Sequence, residues 1–174
     1  MNKTKLVNCF LSGRRKSISK YENQTEELQS KVLQKLIRQA IHTEWGQTHG
    51  FAQVNDYNSF TKTSPINTYE ELKGYIDRMR RGEKDVLWSG KVRWYAKSSG
   101  TTNDKSKFIP VSKECLQDTH YRGGTDAVAL YLGQNPRSRM FDGKALILGG
   151  SHSPNYNLPH SLVGDLSAIL IENV

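Results

Sequence analysis

Helix-period hydrophobicity dominates two stretches of the chain. Over residues 26–45, Leu28, Val32, Leu36 and Ala40 form one stripe, and Leu33, Ile37, Ile41 and Trp45 form its neighbour. That spacing puts a broad apolar face on one side of a helix. Asn23 and Glu26 have capping-box spacing at its start, and Gly46 is expected to stop it. A second helix is predicted to open at the Thr68/Glu71 pair, to turn Leu72, Ile76 and Met79 inward, and to end at Gly82. The residues between them, 47–67, are polar and turn-rich, with Pro65 marking a boundary.

Shorter apolar runs predict strands. Residues 92–96 read as one, and residues 108–111 as another that lies near a sheet edge, because Pro110 has no N–H for a ladder. Residues 83–90 connect to the first of these and carry Val86, Leu87 and Trp88. A third helix is expected from Ser112 onward, with Leu116, His120, Ala127, Leu130 and Tyr131 inward and Gly123-Gly124 interrupting it. Residues 144–148 predict a strand ended by Gly149-Gly150, residues 151–161 a long structured loop, and residues 166–171 a last strand. Helices that precede and separate strands argue for α/β or α+β architecture, with helices covering a sheet. Residues 1–22 read as a loosely structured basic arm with a short helix near residues 6–11, leaving 23–174 as the folded domain. Because the sequence stops just after an apolar strand candidate, that domain is expected to be incomplete, or completed by another chain.

Composition narrows the class. With 36% hydrophobic and 24% charged residues, a 174-residue chain is globular rather than disordered and long enough for a substantial core. No apolar run reaches membrane-spanning length, and residues 6–11 are too short for a secretion signal, so a cytoplasmic protein is expected. Cys9 and Cys115 read as reduced thiols, and the histidines at 42, 49, 120, 152 and 160 have no metal-ligand spacing, so no metal site is assigned. The net charge of +8 raises the question of nucleic acid, with Arg78, Arg80, Arg81 and Lys84 as one basic cluster. No zinc finger, GXXG clamp or RNA-binding aromatic signature focuses it, so a nucleic-acid module is the least favoured reading.

The chemistry is concentrated in residues 94–107. A hydroxyl- and glycine-rich loop, Ser98-Ser99-Gly100-Thr101-Thr102-Asn103-Asp104, follows an aromatic stretch and is closed by Lys105 and Lys107. Gly100 lets the backbone come close to a ligand, the hydroxyls and N–H groups offer donors, and the lysines add positive charge, which suits phosphate. The same residue types also make a lysine-bearing surface hairpin turn. The usual phosphate-loop signature fails, because Asp104 rather than glycine precedes Lys105-Ser106 and the spacing from Gly100 is too short. No G-x-G-x-x-G occurs either. Lys97 suits a phosphate contact and a solvent-facing strand end equally. Trp88 and Trp94 read as core aromatics, and His152, Tyr156 and His160 as loop packing ahead of an acyl pocket. Asp165 reads as orienting a loop.

Several stretches together resemble the N-terminal part of the auxin-responsive acyl-acid-amido synthetase family, most closely its uncharacterised bacterial members. They are Ala96-Lys97-Ser98-Ser99-Gly100-Thr101-Thr102, Lys105-Ser106-Lys107-Phe108-Ile109-Pro110, Tyr121-Arg122-Gly123-Gly124, Phe141-Asp142-Gly143-Lys144, Gly149-Gly150-Ser151 and Gly164-Asp165-Leu166-Ser167-Ala168-Ile169. The resemblance runs over nearly all of residues 25–174. It implies the large sheet-and-helix domain of an acyl-adenylate-forming enzyme, present in part, so that 23–174 becomes a partial ATP-binding domain. It also implies ATP with Mg2+, a carboxylic acid substrate and, in the plant members, an amino acid acceptor. Ser98, Ser99, Gly100, Thr101 and Thr102 then form the ATP phosphate loop and Lys107 takes the family's closing lysine position. Asp104 stands where the family's usual loop has glycine. Family members are longer, so a C-terminal part is an implied partner. The leading expectation is therefore the N-terminal piece of an acyl-adenylating ligase, and the alternative is an inactive or binding remnant of that fold.

Overall fold

The structure, a computed structural model, describes residues 3–98 and 106–174. In chain order its helices are α1 (Lys3–Phe10), α2 (Ser12–Asn23), α3 (Thr25–Ala40), α4 (Glu44–Thr48), α5 (Tyr57–Thr63), α6 (Tyr69–Arg80), α7 (Arg122–Gln134) and α8 (Leu166–Glu172). The strands are β1 (Trp94–Lys97), β2 (Phe108–Val111) and β3 (Leu162–Gly164). A π-helical stretch, Cys115–Tyr121, leads into α7, and single 3₁₀ turns lie at Phe51–Gln53 and Pro154–Tyr156. The architecture is mixed α/β with one small sheet, as the sequence pattern predicted. Two compact units divide it: residues 1–28 with 114–148, and residues 29–113 with 149–174.

In the first unit the expected loose arm is helical. Thr4 donates its hydroxyl to Asp142 at 3.0 Å and accepts the Phe141 N–H at 2.9 Å. The Arg14 guanidinium makes a forked ion pair with both oxygens of Asp126 and holds that carboxyl below its usual range. Arg15 reaches Asn8 at 2.8 Å and the Ala129 carbonyl at 3.3 Å. Helices this short are marginal alone. These long-range contacts with residues 126–142 hold them, and no local pattern announces such contacts.

The helix after Ser112 also differs from its expected phase. Leu116 is buried as predicted, but Ala129 and Leu132 are the buried α7 positions, while Ala127, Leu130 and Tyr131 are exposed. The π-helical stretch explains the shift: its wider turns hold more residues each, so every later side chain is set back around the axis relative to an α-helix. Residues 144–148 form no strand, and Leu146, Ile147 and Leu148 are 87%, 74% and 86% exposed. No described strand pairs with them, and an unpaired extended run has no ladder to fix it.

The second unit carries the sheet, ordered β2-β1-β3, with β1 antiparallel to β2 and parallel to β3. β2 is an edge strand, as Pro110 requires. Behind β1 lies a core of Ile76, Met79, Val86, Val92, Tyr95 and Val163. α6 starts as predicted, with Thr68 and Glu71 forming a reciprocal capping box. It ends before Gly82, whose φ of 95° lies in the left-handed region. Residues 166–171 are helical rather than extended, with Ala168 and Ile169 buried in α8. A short apolar run fits either element, and length gave no arbitration here.

α3 departs from expectation at both ends. Asn23 belongs to α2, so no Asn23/Glu26 capping box forms, and α3 ends at Ala40 rather than Trp45. The stripe of Leu33, Ile37 and Ala40 packs inward with Phe51, Ile41 and Trp45, whereas Val32 and Leu36 are exposed. Thr43 separates the helices. Its hydroxyl donates to the Ala40 carbonyl at 2.6 Å and accepts the Gly46 N–H at 3.0 Å, capping α4. Gly46 is therefore no helix stop; it lies within α4, where a Cβ would come within 2.1 Å of the Ala40 oxygen. Gly46→Ala is expected to destabilise the chain by about 2–3 kcal/mol through that overlap. Urea denaturation will check this, with Gly74→Ala at an exposed, open position inside α6 as the comparison, where alanine should instead stabilise by about 0.5–1 kcal/mol.

Candidate functional site

β1 and β2 are the arms of a hairpin, and their connection is the loop that the sequence singled out. Lys97 pairs with Phe108, and one step further the Ser98 N–H donates to the Lys107 carbonyl at 3.0 Å. The hairpin thus closes between two half-buried residues of the expected site. Ser98 and Lys107 are brought together at this base. Ser99, Gly100, Thr101 and Thr102 lie outside the described residues, as do Asp104 and Lys105.

Aromatic rings and one arginine surround the base. The Lys107 ammonium lies 5.4 Å from the centroid of the Tyr69 ring, and the Tyr69 hydroxyl accepts the Phe108 N–H at 2.9 Å. On the other arm, the Lys97 ammonium lies 4.5 Å from the Tyr156 ring. Arg80 sets its guanidinium 3.9 Å over the Phe108 ring and donates to the Tyr156 carbonyl at 2.6 Å. The Phe108 and Tyr156 rings meet at 5.7 Å. Among the described residues neither Lys97 nor Lys107 forms an ion pair with a carboxylate. Two ammonium groups therefore flank the loop with their charge available to an anion.

Sequence reasoning missed Tyr69 and Arg80 as site residues, and it gave Tyr156 as loop packing ahead of an acyl pocket, not as a contact of Lys97. Tyr69 is 39 positions from Phe108, and Arg80 is 76 from Tyr156. One signal was present: Leu72, Ile76 and Arg80 recur at four-residue spacing, so the α6 stripe that buries Ile76 also turns Arg80 inward. The rest of the expected basic cluster is partly neutralised. Arg78 binds Glu44 at 2.9 and 2.5 Å and Glu83 at 2.8 Å, and its charge holds both carboxyls below their usual range. Arg80 is buried as well, so only Arg81 and Lys84 of the cluster are exposed.

The ring-bearing loop residues pack as expected. His152 lies 5.6 Å from the Trp94 ring and bridges to Gly164. The His160 ring lies where a Cβ on Gly82 would approach within 2.7 Å. Asp165 accepts the Ser151 N–H at 2.9 Å, which orients the loop before β3. Cys9 and Cys115 form no disulfide. No helix among the described residues is long and apolar enough to cross a membrane.

Against known proteins, residues 14–169 match the model of the GH3 family N-terminal domain. The chain is 32% identical over 108 residues to jasmonoyl–L-amino acid synthetase JAR6 of Nicotiana attenuata, covering 60% of this chain and 19% of that protein. It is 32% identical over 93 residues to indole-3-acetic acid-amido synthetase GH3.15 of Arabidopsis thaliana, covering 53% of this chain and 16% of that one. A solved structure of GH3.15 acyl acid amido synthetase in complex with 2,4-DB superposes with a TM-score of 0.73 at 25% identity, over 90% of this chain and 27% of that chain. The chain thus spans less than a fifth of the two relatives matched by sequence. A match over residues 14–169, with the same fold, settles the lineage: the chain belongs to the GH3 family, and its matched length is that family's N-terminal domain.

Proposed function

We propose that the chain is the N-terminal, ATP-binding part of an acyl-adenylating ligase that activates a carboxylic acid and transfers it to an amino acid. One observation supports this above the others. The Ser98–Lys107 hydrogen bond closes a Ser/Thr/Gly loop at a fixed base, with a lysine on each arm that no described carboxylate neutralises. Joining a carboxylate to ATP brings two anions together, so the site must hold polyphosphate and offset charge as pyrophosphate leaves. In this reading the hydroxyls and N–H groups of Ser98, Ser99, Gly100, Thr101 and Thr102 hold the phosphates, and the Lys107 ammonium supplies fixed positive charge. Residues 23–174 carry the nucleotide role.

The reaction runs in two steps. A carboxylate oxygen attacks the α-phosphorus, the bond to the bridging oxygen breaks, and pyrophosphate leaves with both electrons. The amine of an amino acid then attacks the acyl carbon, loses a proton, and AMP departs. None of the loop residues exchanges a proton in the first step, which suits lysine and backbone donors. The residues present fit a polyphosphate, since ammonium groups no described carboxylate neutralises flank the loop. Mg2+ asks for little from the protein beyond one or two carboxylates, water and phosphate oxygens. When bound it supplies further positive charge on the polyphosphate. The reading places the reaction in the cytoplasm and requires the greater C-terminal length that the relatives have.

Carboxylate-dependent ATP–pyrophosphate exchange tests the proposal. The 174-residue chain alone is expected to give none, whereas a GH3-length protein carrying residues 14–169 should exchange with at least one member of a carboxylic acid panel. Exchange by neither would leave the fold as an inactive remnant.

A further inference from the structure

Arg80 is a buried cation of the second unit that the expected site does not use. It is only 9% exposed, its Nε has no acceptor among the described residues, and no described carboxylate forms an ion pair with it. A buried cation without an anion loses solvation that a single neutral carbonyl and one aromatic face restore only in part. Its neighbour Arg78, two positions earlier, has two glutamates. The difference lies in what Arg80 touches. Its guanidinium covers Phe108, the residue after Lys107, and its NH2 binds the carbonyl of Tyr156, whose ring receives Lys97.

We propose that Arg80 is a positioning residue for the loop between Ser98 and Lys107. It fixes the two lysine-bearing arms through Phe108 and Tyr156, and it adds a buried positive charge, without an ion-pair partner among the described residues, that favours a polyphosphate there. The proposal rests on the phosphate-loop reading. Arginine suits this role better than lysine, since one planar group can lie flat on a ring while donating in its own plane. An anion bound at the loop supplies a partner that no described carboxylate provides.

The test uses the 174-residue chain and inorganic tripolyphosphate, with affinity measured by calorimetry at low and moderate salt. Amide exchange at Phe108 and Ser98 reports the hairpin base independently of any ligand. Arg80→Met should bind about tenfold more weakly, with a shallower salt dependence, and should lose protection at both amides while α6 stays protected. Arg80→Lys should recover the salt dependence but not the amide protection. If Lys107→Ala abolishes binding while folded Arg80→Met keeps wild-type affinity, the proposal falls and the phosphate reading stands. If the unaltered chain binds no tripolyphosphate, the phosphate reading falls and takes the role of Arg80 with it. Should Arg80→Met fail to fold, Arg80→Lys decides: wild-type affinity together with wild-type amide protection would overturn the proposal.

Discussion

Tyr95→Ala should destabilise the chain by about 4 kcal/mol, the largest effect expected of any single core substitution here. Tyr95 is fully buried at the centre of β1, opposite Pro110 on β2 and Val163 on β3, and packs with Ile76, Met79, Val86 and Val92. Removing the ring leaves a cavity that two strands and α6 cannot collapse into without losing register. Tyr95→Phe should do the reverse and raise stability by about 1 kcal/mol, because the buried hydroxyl has no hydrogen-bond partner among the described residues. The same burial pushes the Tyr95 phenol up to about 12, with the Arg80 charge opposing the rise. The neutral form is thus favoured in the folded state. Its stabilising contribution is full below the unfolded value of about 10 and is lost as pH climbs through the folded value. Urea titrations of wild type and both variants at pH 7 and pH 11 will measure this. A Tyr95→Phe variant weaker than wild type at pH 7 would mean that the hydroxyl has a partner after all.

The elements that the sequence revealed are those whose signals are local. The Thr68/Glu71 box and Gly82 bound α6 because capping and left-handed backbone depend on residues three or four apart. Pro110 marked an edge strand because a missing N–H needs no tertiary context. Elements set by distant partners were misread. Residues 144–148 and 166–171 are similarly apolar, but the first has no described strand beside it and the second closes into a helix that buries Ala168 and Ile169. The helices of residues 3–23 are held by Asp126, Asp142 and Ala129, more than 100 positions away. In the candidate site the same division holds. Residue types marked Ser98 and Lys107, whereas the contacts of Tyr69 and Arg80 exist only once α6 packs beside the hairpin. The π-helical stretch is the intermediate case: its effect is local, but no residue pattern in Cys115–Tyr121 announces the wider turn.

In a GH3-length protein carrying this domain, Lys107→Ala should slow adenylate formation by about 100-fold, the loss typical of removing one preorganised group that stabilises transition-state charge. The structure gives this lysine a defined place. Its backbone carbonyl closes the hairpin on Ser98, the following N–H is tied to the Tyr69 hydroxyl, and its ammonium rests over the Tyr69 ring with no carboxylate among the described residues to neutralise it. A cation–π contact of that length at a half-exposed site is worth about 1 kcal/mol, so leaving the ring for a polyphosphate costs little against the charge pairing it gains. Lys105→Ala should cost much less, because the phosphate-loop reading gives the closing position to Lys107. In an extended segment residues two apart share a face, so the expected difference requires the chain to turn between Lys105 and Lys107. Single-turnover adenylation rates of the two variants, compared at matched thermal stability, measure that turn directly. Equal and large losses would place both ammonium groups on the anion, and an unchanged rate for Lys107→Ala would remove Lys107 from the site.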